Sequence, residues 1–226
     1  MAQQTSALWK TLWRERNTVR EFGFDIAGTW YGPEAEVNHS VDSGLYEEFG
    51  IGNAATAKLT LTIYTENIPR AATIKRYIRL KNGSRVSEWL PKGIYFTNRR
   101  TVEDGLWTIE AFDAMRKAER VWIPDNALHF PMPMPDAVNV FMKLMRTQLD
   151  PRTALNASYT IDYPANEYTI RDEMRYIAAA HGGNWIVTGE GKFLLVPLLS
   201  APPETNYLVT EYGDPITFGG DRILVG

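Results

Sequence analysis

Apolar and polar residues alternate along several segments in the first half of the chain, which is the period of a β-strand with one buried face. The clearest segment is 58–64, in which every second residue is Leu or Ile and two of the four others are Thr. Residues 87–112 contain two alternating runs around an Asp-Gly turn, the pattern of a β-hairpin. Further strands are predicted at 20–26, 30–31 and 73–80. Closely spaced strands with turn residues between them predict an antiparallel barrel or sandwich.

Helical periods occur at the start of the chain and again in its second half. Residues 5–19 carry Leu and Trp at helical spacing and predict a short helix. After Pro124, prolines at every second position of 131–135 forbid a helix until Pro135 opens one. A second helix is predicted to begin at Thr169, where Thr169 and Asp172 approximate a capping box, and to end at Gly182-Gly183. A tight hairpin at 184–196 follows.

These patterns predict a mainly β chain with an α+β part. An antiparallel β-barrel domain with a short N-terminal helix is expected at 1–123. A small α+β domain with two helices and a β-hairpin is expected at 124–200. The remaining segment, 201–226, is interpreted as a returning strand or the start of a further domain.

Composition narrows the function classes. The net charge is −3 and the 226 residues include no cysteine, so disulfides, Cys-ligated zinc and thiolate chemistry are excluded. The charge balance is too even for bulk attraction to nucleic acid or to an anionic membrane. No apolar run approaches the ~20 residues that span a bilayer. We also expect no signal peptide, because no basic region followed by an apolar run is found at the start.

Several motifs resemble catalytic or cofactor sites but are better explained by structure. The segment 50–55 matches G-x-G-x-x-A, yet it leads into a predicted strand, so a loop is expected instead of a dinucleotide site. His181-Gly182-Gly183 resembles a lipase oxyanion loop, but the chain has no G-x-S-x-G segment. His39 and His129 lack the i, i+4 spacing of a helical zinc site. We therefore predict no catalytic, cofactor-binding or metal-binding residues, no cofactor and no enzymatic activity.

Charge is segregated along the sequence. A basic run without an acid contains Arg70, Lys75, Arg76, Arg79, Lys81 and Arg85, and an acidic run without a base contains Glu34, Glu36, Asp42, Glu47 and Glu48. One interpretation is two solvated strand faces. The other is that the runs meet across a subunit contact, where complementary charge fixes the register. The candidate interface residues are Arg70, Lys75, Arg76, Arg79, Glu47 and Glu48.

An ordered set of segments covering nearly the whole chain resembles the baseplate hub proteins of tailed bacteriophages and related prophages. The segments are Leu45 to Ala54, Ile68 to Ala72, Ser87 to Gly93, Phe112 to Met115, Tyr168 to Asp172, Ile177 to Trp185 and Gly191 to Phe193. The resemblance implies a structural protein that forms a tube-like antiparallel barrel beside a small α+β unit and assembles as a homotrimer. It also implies a hub that links the tail tube to the tail tip or spike.

The resemblance also implies partners and location. The expected partners are further copies of the chain, the tail tube or distal tail protein and the spike or tip protein, with the tape measure protein as a further candidate. DNA is expected only in passage through the lumen, and no membrane is expected. The protein would be made in the bacterial host cytoplasm and reside in the tail baseplate of the virion. Two other functions stay open: a carbohydrate-binding module of a tail tip, because the chain has 7 Trp, and a cell-wall hydrolase.

Overall fold

The computed structural model describes residues 5–44, 50–163, 167–198, 217–218 and 221–222. The first part contains helix α1 (Ala7–Arg14) and strands β1 (Val19–Ile26), β2 (Thr29–Tyr31), β3 (Glu36–Asp42), β4 (Lys58–Tyr64), β5 (Thr73–Asn82), β6 (Arg85–Val86), β7 (Leu90–Glu103) and β8 (Leu106–Phe112). The later part contains a 3₁₀ helix (Ala114–Glu119), β9 (Met132–Pro133), α2 (Met134–Met145), β10 (Thr160–Ile161), α3 (Ile170–Ala180), β11 (Gly183–Val187), β12 (Phe193–Pro197), β13 (Thr217–Phe218) and β14 (Asp221–Arg222).

The first part is dominated by one antiparallel sheet of 8 strands in the order β2-β1-β5-β7-β8-β4-β3, with β6 paired to β5. Alternation decides which side chains fill its core. Leu59, Leu61 and Ile63 of β4 are fully buried, while the threonines between them are half-buried on the opposite face. The strands predicted from the period of two are therefore confirmed at β4, β5 and the β7–β8 hairpin.

The predicted closed barrel is wrong, because the sheet is open. Its path begins at β2 and ends at β3, and no backbone pairing joins these two strands among the described residues. The sheet curls enough for Phe22 on β1 to meet His39 on β3, with ring centroids 4.3 Å apart. Side chains, not a hydrogen-bonded ladder, fill this gap. Alternation specifies which face is buried but says nothing about whether the end strands pair, so the sequence pattern could not distinguish the two outcomes.

Helix α1 closes one end of the curled sheet and is shorter than the predicted 5–19. Its N-cap is Ser6, whose hydroxyl accepts a hydrogen bond from the Trp9 amide at 3.0 Å. Glu88 accepts a further bond from the Ser6 amide at 2.8 Å and so ties the cap to the sheet. Trp9 and Leu12 are buried against the apolar face of β5.

The later part has its own apolar core, built by α2, α3, the 3₁₀ helix and the β11–β12 hairpin. Helix α2 begins beside Pro135, as predicted, and ends at Arg146 in a left-handed conformation. The capping box predicted for α3 is confirmed in both directions between Thr169 and Asp172. At the centre of the core Trp185 is fully buried, and its indole N–H donates to the carbonyl of Met174 at 2.8 Å. No helix in the described part of the chain combines the length and the apolar character needed to cross a membrane.

Two backbone contacts join the sheet to the later part. The loop before β4 runs beside β11, where the Trp185 amide donates to the carbonyl of Asn53 at 2.8 Å. The G-x-G-x-x-A segment is therefore a loop leading into a strand, as predicted. The turn between β11 and β12 lies on β7, and a Cβ on Gly189 would come within 2.6 Å of the carbonyl oxygen of Pro91. The boundaries at 123 and 200 stay a prediction. Within 201–226 the structure describes only β13 and β14, which pair with each other.

Candidate functional site

The basic run predicted as an interface does not form one continuous surface, because alternate residues of β5 point to opposite faces of the sheet. On the outer face, Lys75 binds Asp25 of β1 at 3.0 Å. Arg79 and Lys81 both bind the carboxylate of Glu21, at 2.7 and 3.2 Å. Burial alone would raise the pKa of Glu21. The hydrogen bonds from Arg79 and Lys81 outweigh this effect, so the pKa of Glu21 is lowered. The run that lacks acids in the sequence thus acquires them from the neighbouring strand.

Arg76 lies on the inner face of the sheet. Its Nη2 is 3.0 Å from Nε2 of His39, and Nδ1 of the same ring contacts the Glu36 carboxylate. Because a guanidinium only donates, Nε2 must accept, so the imidazole is neutral with its proton on Nδ1 and donates to Glu36. The guanidinium also lies 4.8 Å from the ring centroid of Phe22. Burial lowers the pKa of Arg76, and the nearby Tyr95 and Glu36 oppose that shift.

Three rings on the outer face, the exposed Trp30 and the half-buried Tyr77 and Trp89, form what we call the outer aromatic patch. The Trp30 ring centroid is 5.5 Å from that of Tyr77 and 5.1 Å from that of Trp89. Gly23 of β1 makes room for it, since a Cβ there would lie 2.5 Å from the Trp30 ring. Arg79 covers the Trp89 ring at 4.5 Å. Trp30 is still 47% exposed, which is unusual for so large an apolar ring.

The second half of β7 has a strand neighbour on one side only. β5 pairs with β7 as far as Phe96, and Thr97 still donates its amide to the carbonyl of Ala72 at 3.0 Å. From 98 to 103 the strand pairs with β8, and no strand of the described chain pairs with its other side. We call residues 98–103 the β7 edge. Such an edge exposes unpaired backbone donors and acceptors.

A groove of about 460 Å³ runs along the β7 edge. It is lined by Arg70, Thr97, Asn98, Arg99, Arg100, Val102 and Trp107. We call it the arginine groove, because arginine supplies all the charged side chains among its described lining residues. Arg100 lies 5.1 Å from the centroid of the Trp107 ring. Its Nη1 is buried and has no hydrogen-bond partner among the described residues.

The structure therefore separates the predicted interface residues. Arg70 lies at the arginine groove, Lys75 and Arg79 lie on the outer face, and Arg76 lies on the inner face. Glu47 and Glu48 lie outside the described residues. The hypothesis that these six residues form a subunit contact stays a prediction.

Sequence reasoning missed Arg99 and Arg100. One signal was available, because β7 is longer than the strand predicted at 73–80, which pairs with it in the structure. A register shift between Thr97 and Arg99 then changes which side chains face inward. That shift could not be read from the pattern.

Titratable groups elsewhere in the described chain have structural explanations. Asp113 is buried at the end of β8, where its carboxylate accepts the Met115 amide at 3.0 Å and caps the 3₁₀ helix. Burial raises the pKa of Asp113 to about 6, although the amides of Ala57 and Met115 favour the charged form. Among the described residues no group of His, Asp and Glu side chains is arranged to hold a metal ion.

Comparison with known proteins identifies the fold. No protein-family model matches the chain, and no curated protein is similar to it in sequence. Among solved structures, the chain is similar to the 43 kDa tail protein of prophage MuSo2 from Shewanella oneidensis, with a TM-score of 0.54 and 10% identity over 88% of this chain. It is also similar to a tail protein from Neisseria meningitidis, with a TM-score of 0.52 and 12% identity over 78% of this chain.

The similarity at these identities concerns the fold. The chain spans 61% of the MuSo2 protein and 51% of the Neisseria protein. Both structural neighbours are tail proteins by name. The fold of this chain is thus one used by phage tail proteins.

Proposed function

We propose that this chain is a structural component of the tail of a phage or phage-derived particle, and that it acts in the baseplate hub between the tail tube and the tip or spike. The observation that carries the proposal is the shared fold with a prophage tail protein over 88% of the chain. Both the curled sheet and the later α+β part must contribute to a match of that extent. The ordered sequence segments that resemble hub proteins support the finer assignment.

The role is mechanical and not enzymatic. Among the described residues, the open sheet leaves β3 and the β7 edge with a strand partner on one side only. Copies of the same protein can complete such edges, which removes a site of uncontrolled aggregation and builds a continuous wall. We propose a homotrimer of this kind, in contact with the tail tube or distal tail protein on one side and the spike or tip on the other, with DNA passing through its centre.

Immunogold labelling of particles from the producing strain tests the proposal. Antibodies raised against the purified chain should label the distal end of the tail. Light scattering and negative-stain imaging of the purified protein should show a threefold ring. A matched antibody against the tail tube protein should label the shaft and so control for access. Labelling spread along the shaft, or particles without label, would contradict the hub assignment.

A second candidate is carbohydrate binding, which the outer aromatic patch favours. The exposed ring of Trp30 suits the apolar face of a sugar, and nearby charged pairs such as Lys75 with Asp25 suit its hydroxyls. Trp30→Ala should then abolish binding to cell-wall glycans, while Trp13→Ala, which removes another exposed ring on α1, should leave it unchanged. Equal glycan binding by the natural protein and both variants would exclude carbohydrate binding at the outer aromatic patch.

A further inference from the structure

We propose that the β7 edge and the arginine groove of one copy receive strand β3 of a second copy, so that the two sheets join head to tail. This inference rests on the proposed function, because it names the surfaces through which the hub subunits would associate. It commits to one occupant of the groove: the acidic β3 region of the same chain.

The first argument is backbone pairing. β3 is the last strand of the sheet and pairs only with β4 among the described strands. It spans 7 residues, and the β7 edge at 98–103 is of similar length. Two free edges of similar length can therefore form one ladder.

The second argument is charge. Arg70, Arg99 and Arg100 line the groove, and no described acid lines it with them. The β3 region has the opposite character, since residues 34–57 contain no Lys or Arg. Glu34, just before β3, and Asp42, its last residue, are both exposed. A carboxylate entering the groove would find a donor in Arg99, which is exposed.

The third argument excludes self-pairing of identical edges. Pairing β3 with its own copy would bring two acidic regions together. Pairing two β7 edges would bring together two segments that each carry Arg99 and Arg100 against a single acid, Glu103. Like charges directly opposite one another destabilise a contact, whereas β3 against the β7 edge makes the charges complementary. A contact between two different surfaces is heterologous, and it forms a closed ring when the rotation between copies closes.

Cysteine cross-linking tests the contact directly, because the natural chain contains no cysteine. Ser40→Cys on β3 is combined in turn with Asn98→Cys and Thr101→Cys on the β7 edge, all three sites being exposed. After mild oxidation, at least one double variant should give covalent dimers and trimers on a non-reducing gel, and each single variant should stay monomeric. Dimers from the Ser40→Cys single variant would indicate β3 self-pairing and overturn the proposal. Absence of cross-links in both double variants would also overturn it.

Charge reversal supplies an independent readout. Arg70→Glu with Arg99→Glu should raise the dissociation constant of the assembly by roughly tenfold, since it replaces attraction to Asp42 with repulsion. Adding Asp42→Arg to this variant should restore association. Lys10→Glu, an exposed reversal on α1, is the matched control and should change nothing. Failure of the added change to restore association would contradict the charge argument.

The two proposals fail differently. If antibodies label the tail end but the double-cysteine variants do not cross-link, the hub assignment is supported and the β3–β7 contact is refuted. If the variants cross-link but particles carry no label, the contact stands and the tail assignment falls.

Discussion

Asp113→Asn should make the protein more stable at neutral and alkaline pH but not at mildly acidic pH. The carboxyl is buried, and its pKa is raised from 3.8 to about 6 mainly by that burial. The folded protein thus binds this proton more tightly than the unfolded chain does. Stability from this group is present below its unfolded pKa and is lost as the pH rises towards 6. A shift of about two units corresponds to roughly 3 kcal/mol at most, at 1.36 kcal/mol per unit.

Asparagine keeps the cap, because its side-chain oxygen can still accept the Met115 amide. It removes the cost of the buried charge, and it loses the hydrogen bond from the Ala57 amide, because the asparagine amide nitrogen cannot accept. The difference in free energy of unfolding between variant and natural protein should therefore be near zero below the unfolded pKa of 3.8 and rise to about 1–3 kcal/mol in favour of the variant at pH 8. Urea unfolding followed by tryptophan fluorescence measures this difference across the pH range.

Asp150→Asn is a control with the opposite sign. Hydrogen bonds from Arg152 lower the pKa of Asp150 to about 2, so its charged form stabilises the fold above pH 4. This variant should be less stable than the natural protein at pH 7, and the difference should shrink as the pH falls from 4 to 2. A difference for Asp113→Asn that stays constant from pH 4.5 to 8 would refute the reasoning about burial.

Three further predictions concern the fold. Gly189→Ala should destabilise by about 1–3 kcal/mol, because the new Cβ would meet a backbone carbonyl of β7 at 2.6 Å; Gly50→Ala, with open space at that position, should change the melting temperature little. Thr169→Ala should cost about 1 kcal/mol in urea unfolding through loss of the capping box, and an unchanged midpoint would show that the cap contributes nothing. His39→Leu should destabilise the fold more than Arg76→Met does. Only His39→Leu leaves the Arg76 guanidinium without its acceptor, Nε2 of His39. The reverse order would contradict the assignment of Nε2 as an acceptor.

The strands could be predicted because the period of two is strong wherever one face is buried. The same period even indicates the orientation of Arg76, which has the parity of the buried Ile74, Ile78 and Leu80. It does not indicate that His39, far away in sequence, provides the acceptor. That contact depends on how the sheet curls, which alternation does not encode.

The helical part could be predicted in more detail because its signals are local. Pro135 at the start of α2 and the Thr169–Asp172 capping box act within one turn, so sequence spacing alone specifies them. The arginine groove could not be predicted in this way. It depends on a register shift in β7, on the length of β5 and on a loop that brings Arg70 beside them.

The partners that each cation already has determine which surface is best suited to an intersubunit contact. Lys75 and Arg79 are bound to Asp25 and Glu21, so a new partner on the outer face would have to replace existing ion pairs and desolvate them. No described acid lines the arginine groove with its arginines, so a carboxylate entering it would not have to replace an ion pair among its described lining residues. The free backbone of the β7 edge lies along the same groove. An acidic strand that binds here can therefore form backbone hydrogen bonds with the β7 edge and ion pairs with the arginines of the groove. The outer face offers neither kind of contact.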